Sequence, residues 1–480
     1  MPTINFSLKD FQGLLGKQVT EKELNELLEY CKGEVESINK DEATLSLGDT
    51  NLPYLWSIEG IIRLLKGVIG KEKGIAEIKI NKTSNKIIVD KNIKEIRPFI
   101  TGFIVKNCKL DEYLLKQLIQ TQEILSENYG KKRKKISIGI YCYNKIKFPV
   151  HYKAVNPKSI KFIPLEFNKE LDLKEILEKH PKGIQYKETL HNLKEYPILI
   201  DSKKEVLSFP PIINSNTSGK ITIKEKDLFI EVTGTSEKDV NLVTNILAYV
   251  FYERKCDLYS CIVDYGNKKV ISPSLENSFI KINKNNVESM IGIRLSDKEI
   301  KDLLEKARFE ANNYKVKIPS YRNDILDEVD VIEDLGIMYG YNNLKALQLK
   351  TLTTGKTSDF INFIDNIREL VIGLNYQEIF SNVLSNKEIL FDNMNLTRNE
   401  LIEIENYMSK TYSSVRSWLL PILLDFLSKN KHVYYPQKLF EQGIVALRKD
   451  NKVVEKEKLC IVYCNNDSDF TRIKQVLDAI

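Results

Sequence analysis

Apolar residues spaced three and four apart alternate along this chain with short β-branched runs, which predicts helices interleaved with strands over its whole length. In residues 1–90 the alternation is close. One helix there opens with Thr20 and Glu23, spaced as a capping box ahead of Leu24, Leu27, Leu28 and Cys31. Residues 91–271 are richer in strand signals, among them ISIGIYCYNKI (Ile136 to Ile146), ILID (Ile198 to Asp201) and KITI (Lys220 to Ile223). A helix is expected within LDLKEILEKH (Leu171 to His180), stopped by Pro181 and Gly183. Residues 272–347 carry a second capping box, Ser296 with Glu299, before Ile300, Leu303, Leu304 and Ala307. Residues 348–480 open with a helix whose Ile364, Ile367, Val371 and Leu374 share one face, followed by a mixed pattern. The expected fold class is therefore α+β and multidomain, with mixed sheets and helices.

Within the second segment, LSFPPIINSN (Leu207 to Asn216) precedes a strand reading FIEVTGT (Phe229 to Thr235). Strand alternation puts Glu231, Thr233 and Thr235 on one face and Ile230 and Val232 on the other, which predicts a polar face backed by core. Pro210 and Pro211 restrict the backbone and remove two donors, so Asn214, Ser215 and Asn216 are expected in a stiff polar turn. These two pieces read as a pocket wall. With no His or Cys in either, its chemistry would rest on positioned water and hydrogen bonds.

Length and charge narrow the class. At 480 residues the chain exceeds a single core and implies three or four domains. Charged residues make up 29% of it yet nearly cancel, to +6, which permits RNA contact without requiring it. The seven cysteines are scattered and lack CxxC spacing, consistent with reduced thiols in the cytoplasm. MPTINFSLKD has no apolar signal core, and the longest apolar run, Trp418 to Leu427, contains Pro421 and Asp425, so neither exports nor spans a membrane.

The sharpest charge pattern lies in RNDILDEVDVIEDLG, where Asp330, Glu333 and Asp334 fall at helical spacings of three and four. With Asp324 they could supply an all-oxygen Mg²⁺ site, or they could form a solvated acidic helix face. KKRKK (Lys131 to Lys135) is expected to be a solvated loop. The four histidines show no ligand spacing, Cys460 with Cys464 is a weak pair, and TGKTSD at Thr354 lacks the spacing of a phosphate loop.

Five ordered motifs carry a resemblance across essentially the whole chain: HPKGIQY (His180 to Tyr186), VLSFPPIINSN, IEVTGT, KIPSYRNDILDEVDVIEDLGIMYGYNNL, and YSSVRSWLLPILLDFLSKNKHVYYPQKLFEQG (Tyr412 to Gly443). In these it resembles the beta subunit of phenylalanyl-tRNA synthetase of the archaeal and eukaryotic cytosolic type. The resemblance implies an (αβ)₂ assembly with a catalytic alpha subunit that holds the ligase site and its ATP. It implies tRNA contact, a β-rich editing domain (91–271), a helix-rich domain similar to DNA-binding folds (272–347), and an antiparallel-sheet module resembling a catalytic domain (348–480).

Carried over motif by motif, it implies an editing pocket of Leu199, Ser208, Asn214, Glu231 and Thr233. There Glu231 would accept the phenol of a tyrosyl ester, Thr233 and Asn214 would orient ester and water, and Leu199 and Ser208 would shape the wall. Ser208 and Thr233 also have the plainer reading of ordinary turn and strand hydrogen bonding. Asp324, Asp330, Glu333 and Asp334 would hold a structural Mg²⁺.

Family members continue beyond DFTRIKQVLDAI (Asp469 to Ile480) with further strands, so the last module is expected to be incomplete. A separate chain could supply the missing strands. Two other functions remain open at this point: an editing-inactive scaffold that binds alpha and tRNA, and a free-standing hydrolase acting in trans.

Overall fold

A computed structural model of the chain describes residues 2–49, 51–348, 352–397, 401–450 and 452–480. They fall into two compact units, residues 1–346 and 347–480. The first begins with a three-stranded antiparallel sheet in which Glu42–Leu47 lies between Thr3–Ser7 and Gly33–Asn39. Both expected capping boxes form. Thr20 and Glu23 close one ahead of helix Glu21–Glu29, and Ser296 and Glu299 close the other ahead of helix Asp297–Lys306.

An eleven-stranded mixed sheet dominates this unit. Its path runs from Ile213–Asn214 through Val206–Phe209, Tyr196–Ile200, Val150–Val155, Lys86–Val89, Asp257–Asp264, Phe99–Lys106 and Leu228–Gly234 to Ile136–Cys142. The two strands at the ends of this path have no ladder to each other, but side chains bring them together. The Tyr141 hydroxyl lies 3.4 Å from Asn214 Oδ1, and the Arg133 guanidinium donates to the carbonyls of Pro211 and Ile212 at 3.2 and 2.9 Å. The sheet therefore curls almost closed, leaving a seam.

Helix Glu237–Glu253 covers the convex side, and thirteen of its seventeen residues are buried, as a helix apolar nearly all round requires. Its packing extends one apolar cluster from Ile4 in the first sheet to Met338. Inside the curl, Tyr141, Tyr152, Leu199, Leu207 and Phe229 belong to a second cluster. Residues 278–339 add a small sheet of Ser278–Lys281, Lys315–Ile318 and Glu310–Asn312 with helices Lys284–Ile291, Asp297–Lys306 and Glu328–Tyr339.

Four local expectations change. The strand from Ile136 ends at Cys142 and gives way to a 3₁₀ turn, Tyr143–Lys145. Lys220 to Ile223 is irregular, because the short helix Asn216–Gly219 before it redirects the chain. Pro181 starts a helix rather than only ending one: it is the first residue of Pro181–Tyr186, where its missing N–H costs nothing, and His180 caps it. Gly183 marks where this helix crosses the preceding one, since a Cβ there would lie 1.9 Å from the Ile176 carbonyl. Finally, the Leu228–Gly234 strand is buried on both faces, so its polar side faces the interior of the curl, and Thr235 lies beyond the strand.

The second unit contains helix Asp359–Gly373, which presents Val371 inward as expected, and helices Leu420–Lys429 and Phe470–Ala479. Its main sheet is mixed rather than antiparallel throughout. Gln437–Lys449 pairs antiparallel with Lys452–Cys464 over thirteen residues, while Gln377–Glu378 runs parallel to it. Arg416 and Glu441 form a fully buried ion pair there, joined by Ser381. Among the described residues no helix is long and apolar enough to cross a membrane.

One guanidinium ties the first unit together. Arg254 donates from both terminal nitrogens to Asp10 at 2.6 and 2.8 Å and from Nε to the buried Glu59 at 2.6 Å, joining the end of the long helix to two others. Removing one partner of a buried ion pair leaves the other charge uncompensated. Arg254→Ala is expected to lower the unfolding free energy by about 3–5 kcal/mol, read from the denaturant midpoint of the first transition. An unshifted midpoint would show that the network carries no net stability.

Candidate functional site

The seam of the curled sheet encloses a cavity of about 500 Å³. Ile138, Ile140, Phe209, Pro210, Pro211 and Ile221 supply apolar wall, and polar and charged residues, among them Glu123, Arg133, Glu166, Lys182 and Lys220, make up much of the rest. Ser208, Asn214 and Glu231, all expected from sequence, line it. Leu199 and Thr233 stand one layer behind.

Register explains this placement. Leu199 pairs with Ser208, and Ser208 with Asn214, so these three occupy one row across adjacent strands. On the other side of the curl, Glu231 is flanked by Gly102 and Gly139, and Thr233 by Ile100 and Ser137. The two rows meet at Tyr141. Asn214 ends its strand immediately before Ser215, which caps the helix Asn216–Gly219, so a short strand and a capped turn replace the uniform turn expected there.

Glu231 is the electrostatic centre of the cavity. It is 2% exposed and accepts a hydrogen bond from the Tyr141 hydroxyl to Oε2 at 2.7 Å. Burial pushes its carboxyl up to about 7, against the opposing influence of Tyr141, Arg97 and Thr233. Burial likewise raises the Tyr141 phenol well above its ordinary value, with the Glu231 charge adding to the rise, so Tyr141 remains a donor. Gly139 makes the contact possible: a Cβ there would lie 2.1 Å from Glu231 Oε2 and 2.2 Å from the Tyr141 oxygen. Ser208 Oγ is buried beside Tyr141 and closes no hydrogen bond of proper geometry among the described residues.

Thr233 has a supporting task rather than a lining one. Its hydroxyl takes the Arg97 Nε–H at 3.0 Å and meets Ser137 Oγ at 2.9 Å. Arg97 is buried and also donates to the carbonyls of Thr233, Arg133 and Lys134, which pins the KKRKK segment to the end of the strand. That segment is therefore only partly the solvated loop expected from its charge. Lys135 pairs with Asp239 at 2.9 Å, and Arg133 lies 4.2 Å over the Tyr186 ring while lining the cavity. Sequence reasoning missed Arg97, Arg133 and Tyr141. The only available signal for Tyr141 was its position on a strand beside a glycine two residues away.

The acidic residues are not gathered into a cage. Arg322 lies among them, donating to both oxygens of Asp324 and, at 2.8 Å, to Asp334 Oδ2. Asp330 instead accepts from the backbone N–H groups of Leu326 and Asp327, and Glu333 pairs with Lys32 at 2.7 Å. Among the described residues no group of three or more His, Cys, Asp or Glu is arranged to hold a metal. Asp324, Asp330, Glu333 and Asp334 thus do not fit an all-oxygen Mg²⁺ cage here, because a guanidinium already holds the place between the two aspartates. Burial raises the Asp334 carboxyl against the pull of Arg322.

Two family models match the chain: the tRNA synthetase B5 domain over residues 280–341, and the phenylalanyl tRNA synthetase beta chain CLM domain over residues 346–480. Similar curated proteins include phenylalanine–tRNA ligase beta subunits of Thermococcus sibiricus and Pyrococcus horikoshii, each 37% identical over 491 residues, covering 100% of this chain and 88% of the relative. That of Thermococcus gammatolerans is 38% identical over 500 residues with the same coverage. Among solved structures, an N-terminal fragment of the phenylalanyl-tRNA synthetase beta subunit from Pyrococcus horikoshii matches with a TM-score of 0.69 at 37% identity. It covers 71% of this chain and 100% of the fragment.

Two outcomes follow from these charges. Glu231 binds its proton more tightly folded than unfolded, so its contribution to stability is greatest below the ordinary value of 4.5 and is lost as pH rises towards 7. Relative to the wild type, Glu231→Gln should gain roughly 2–4 kcal/mol of unfolding free energy between about pH 4 and about pH 8, and a flat difference would refute the assigned shift. At the acidic helix, a chelator should leave the melting temperature of the isolated chain unchanged, whereas Arg322→Ala should lower stability by about 3–5 kcal/mol. A chelator-induced fall in the wild type would place a metal among these carboxylates after all.

Proposed function

Because this chain belongs to the phenylalanine–tRNA ligase beta-subunit family, we propose that its cavity hydrolyses tyrosine wrongly esterified to the tRNA for phenylalanine. Membership makes the chain a component of the ligase complex and implies the alpha subunit and tRNA as partners. In this reading the assembly is (αβ)₂ and cytoplasmic, and aminoacylation with its ATP and Mg²⁺ is assigned to the complex rather than to a cage closed by this chain. The division into domains 1–90, 91–271, 272–347 and 348–480, with editing in the second, belongs to the same proposal.

The need for such a site is physical. Phenylalanine and tyrosine differ by one hydroxyl, and an apolar synthesis pocket rejects an added hydroxyl only about a hundredfold. A second site that hydrogen-bonds the hydroxyl can select the wrong product, because a phenylalanyl ester would leave buried polar groups unpaired. The observation that carries the reading is Glu231, a carboxyl group buried at the wall of the cavity and bonded there to Tyr141. Asn214 and Ser208, on the opposite side, are suited to orient the ester carbonyl and a water. Water adds to the carbonyl carbon, the ribose oxygen leaves with a proton, and free tyrosine and tRNA result. No His or Cys is among the described lining residues, which favours direct attack by water over a covalent intermediate.

The same contact favours a second reading, an editing-inactive scaffold, since the chain's own phenol already occupies one oxygen of Glu231. Deacylation separates the two. The complex with its alpha subunit should hydrolyse preformed tyrosyl-tRNA and spare phenylalanyl-tRNA. Glu231→Ala should weaken that preference by about 1–3 kcal/mol while aminoacylation persists. Equal survival of both esters in the wild type would select the scaffold.

A further inference from the structure

Tyr141 touches Glu231, Asn214 and Ser208, the polar side chains through which the cavity would hold a tyrosyl ester. Its hydroxyl donates to Glu231 Oε2 at 2.7 Å, lies 3.4 Å from Asn214 Oδ1, and stands beside Ser208 Oγ. Its ring is buried, paired in register with Phe229 and stacked on it at 5.9 Å, while Phe148 meets Phe229 edge-on at 5.4 Å. The ring therefore has little freedom, and the hydroxyl is fixed by packing as well as by hydrogen bonding. Room for it exists only because residue 139 has no side chain.

A carboxylate held at one oxygen has a defined plane and offers its other oxygen in one direction. Glu231 is in that condition: Oε2 is engaged by Tyr141 at 2.7 Å, while the Thr233 hydroxyl, already bonded to Arg97 and Ser137, acts on the carboxyl more weakly than Tyr141 does. A hydroxyl has a single proton to give, and that of Tyr141 is committed to Oε2, so it cannot also satisfy Oε1.

We propose that Tyr141 is a positioning residue for substrate selection: by holding Glu231 Oε2 it aims Oε1 at the space where the phenol of a tyrosyl ester would donate. This rests on the editing reading and deepens it. The cavity then carries a built-in phenol whose place the substrate does not take; the incoming phenol binds the remaining oxygen. Without Tyr141 the carboxylate is free to rotate and to hold water, and it then distinguishes the two esters less well.

Tyr141→Phe removes one oxygen and keeps the ring. The other groups that act on Glu231 are unchanged in this variant: Arg97 ahead of the Phe99–Lys106 strand, Thr233 on its own strand, and Tyr152 across the curl. In the full complex, the preference for tyrosyl-tRNA over phenylalanyl-tRNA should fall by about tenfold, the effect of losing one charge-assisted hydrogen bond. The pH dependence should move with it. Tyr141 is the strongest of the influences that hold the Glu231 carboxyl down, so in the variant that carboxyl should titrate higher, followed by ¹³C NMR of carboxyl-labelled glutamate with Glu231→Gln as the assignment control.

That titration needs no substrate. An unmoved Glu231 titration with full discrimination would overturn the role of Tyr141 and leave editing intact. A wild-type complex that hydrolyses both esters alike would overturn the editing reading, and this inference with it, even if the titration moved. Loss of discrimination with an unmoved titration would also count against the inference, since it would mean that Tyr141 acts only by filling space.

Discussion

A carboxylate inside a protein must be given partners or it will be held neutral, and the organisation of the cavity follows from meeting that requirement at Glu231. Three adjacent strands contribute. Gly139 and Gly102 stand on either side of it, Tyr141 reaches over the first gap, and Thr233, two residues along the same face, anchors Arg97. The partners are enough to hold the residue in place but too few to keep it fully ionised near neutral pH. A more thoroughly bonded carboxylate would be an inert structural ion, and a less bonded one would destabilise the strand that carries it.

Elsewhere the chain solves the same problem with arginine. Arg254 holds Asp10 and Glu59, Arg322 holds Asp324 and Asp334, and Arg416 holds Glu441. The planar guanidinium suits this work, because its fixed fork of donors satisfies carboxylates on different elements at once. Some of the charge that nearly cancels in the composition therefore cancels inside the fold. The acidic helix shows the consequence: residues that look like a metal site by spacing have their charge met by Arg322, Lys32 and backbone donors.

Local features were readable from the sequence where one residue type decides them. Thr20 with Glu23 and Ser296 with Glu299 capped their helices as written, and the apolar face of Asp359–Gly373 turned Val371 inward. Ser208, Asn214 and Glu231 were found as cavity residues, through motif resemblance and through the oddity of a carboxylate between apolar neighbours. What escaped was long-range. Tyr141 and Arg97 matter because of strands brought alongside them from far along the chain, and no local spacing records that. Strand alternation correctly separated Glu231 from Ile230 and Val232, but it could not show that a second layer of protein would cover the polar face. Lys131 to Lys135 misled for a related reason, since a run of charge looks solvated until the partners of Arg133 and Lys135 are known.

The seam of the large sheet has a mechanical meaning. Along most of a sheet, separating two strands breaks a continuous ladder of backbone bonds, but among the described residues the two ends of this path meet through side chains, Tyr141 on Asn214 and Arg133 on Ile212, without a ladder. Such a junction is the least costly line along which the curl can part, so breathing of the wall should concentrate there while the ladders beside it stay shut. A hinge-like loosening of one edge would then widen the cavity, with the row bearing Glu231 held still on the opposite side.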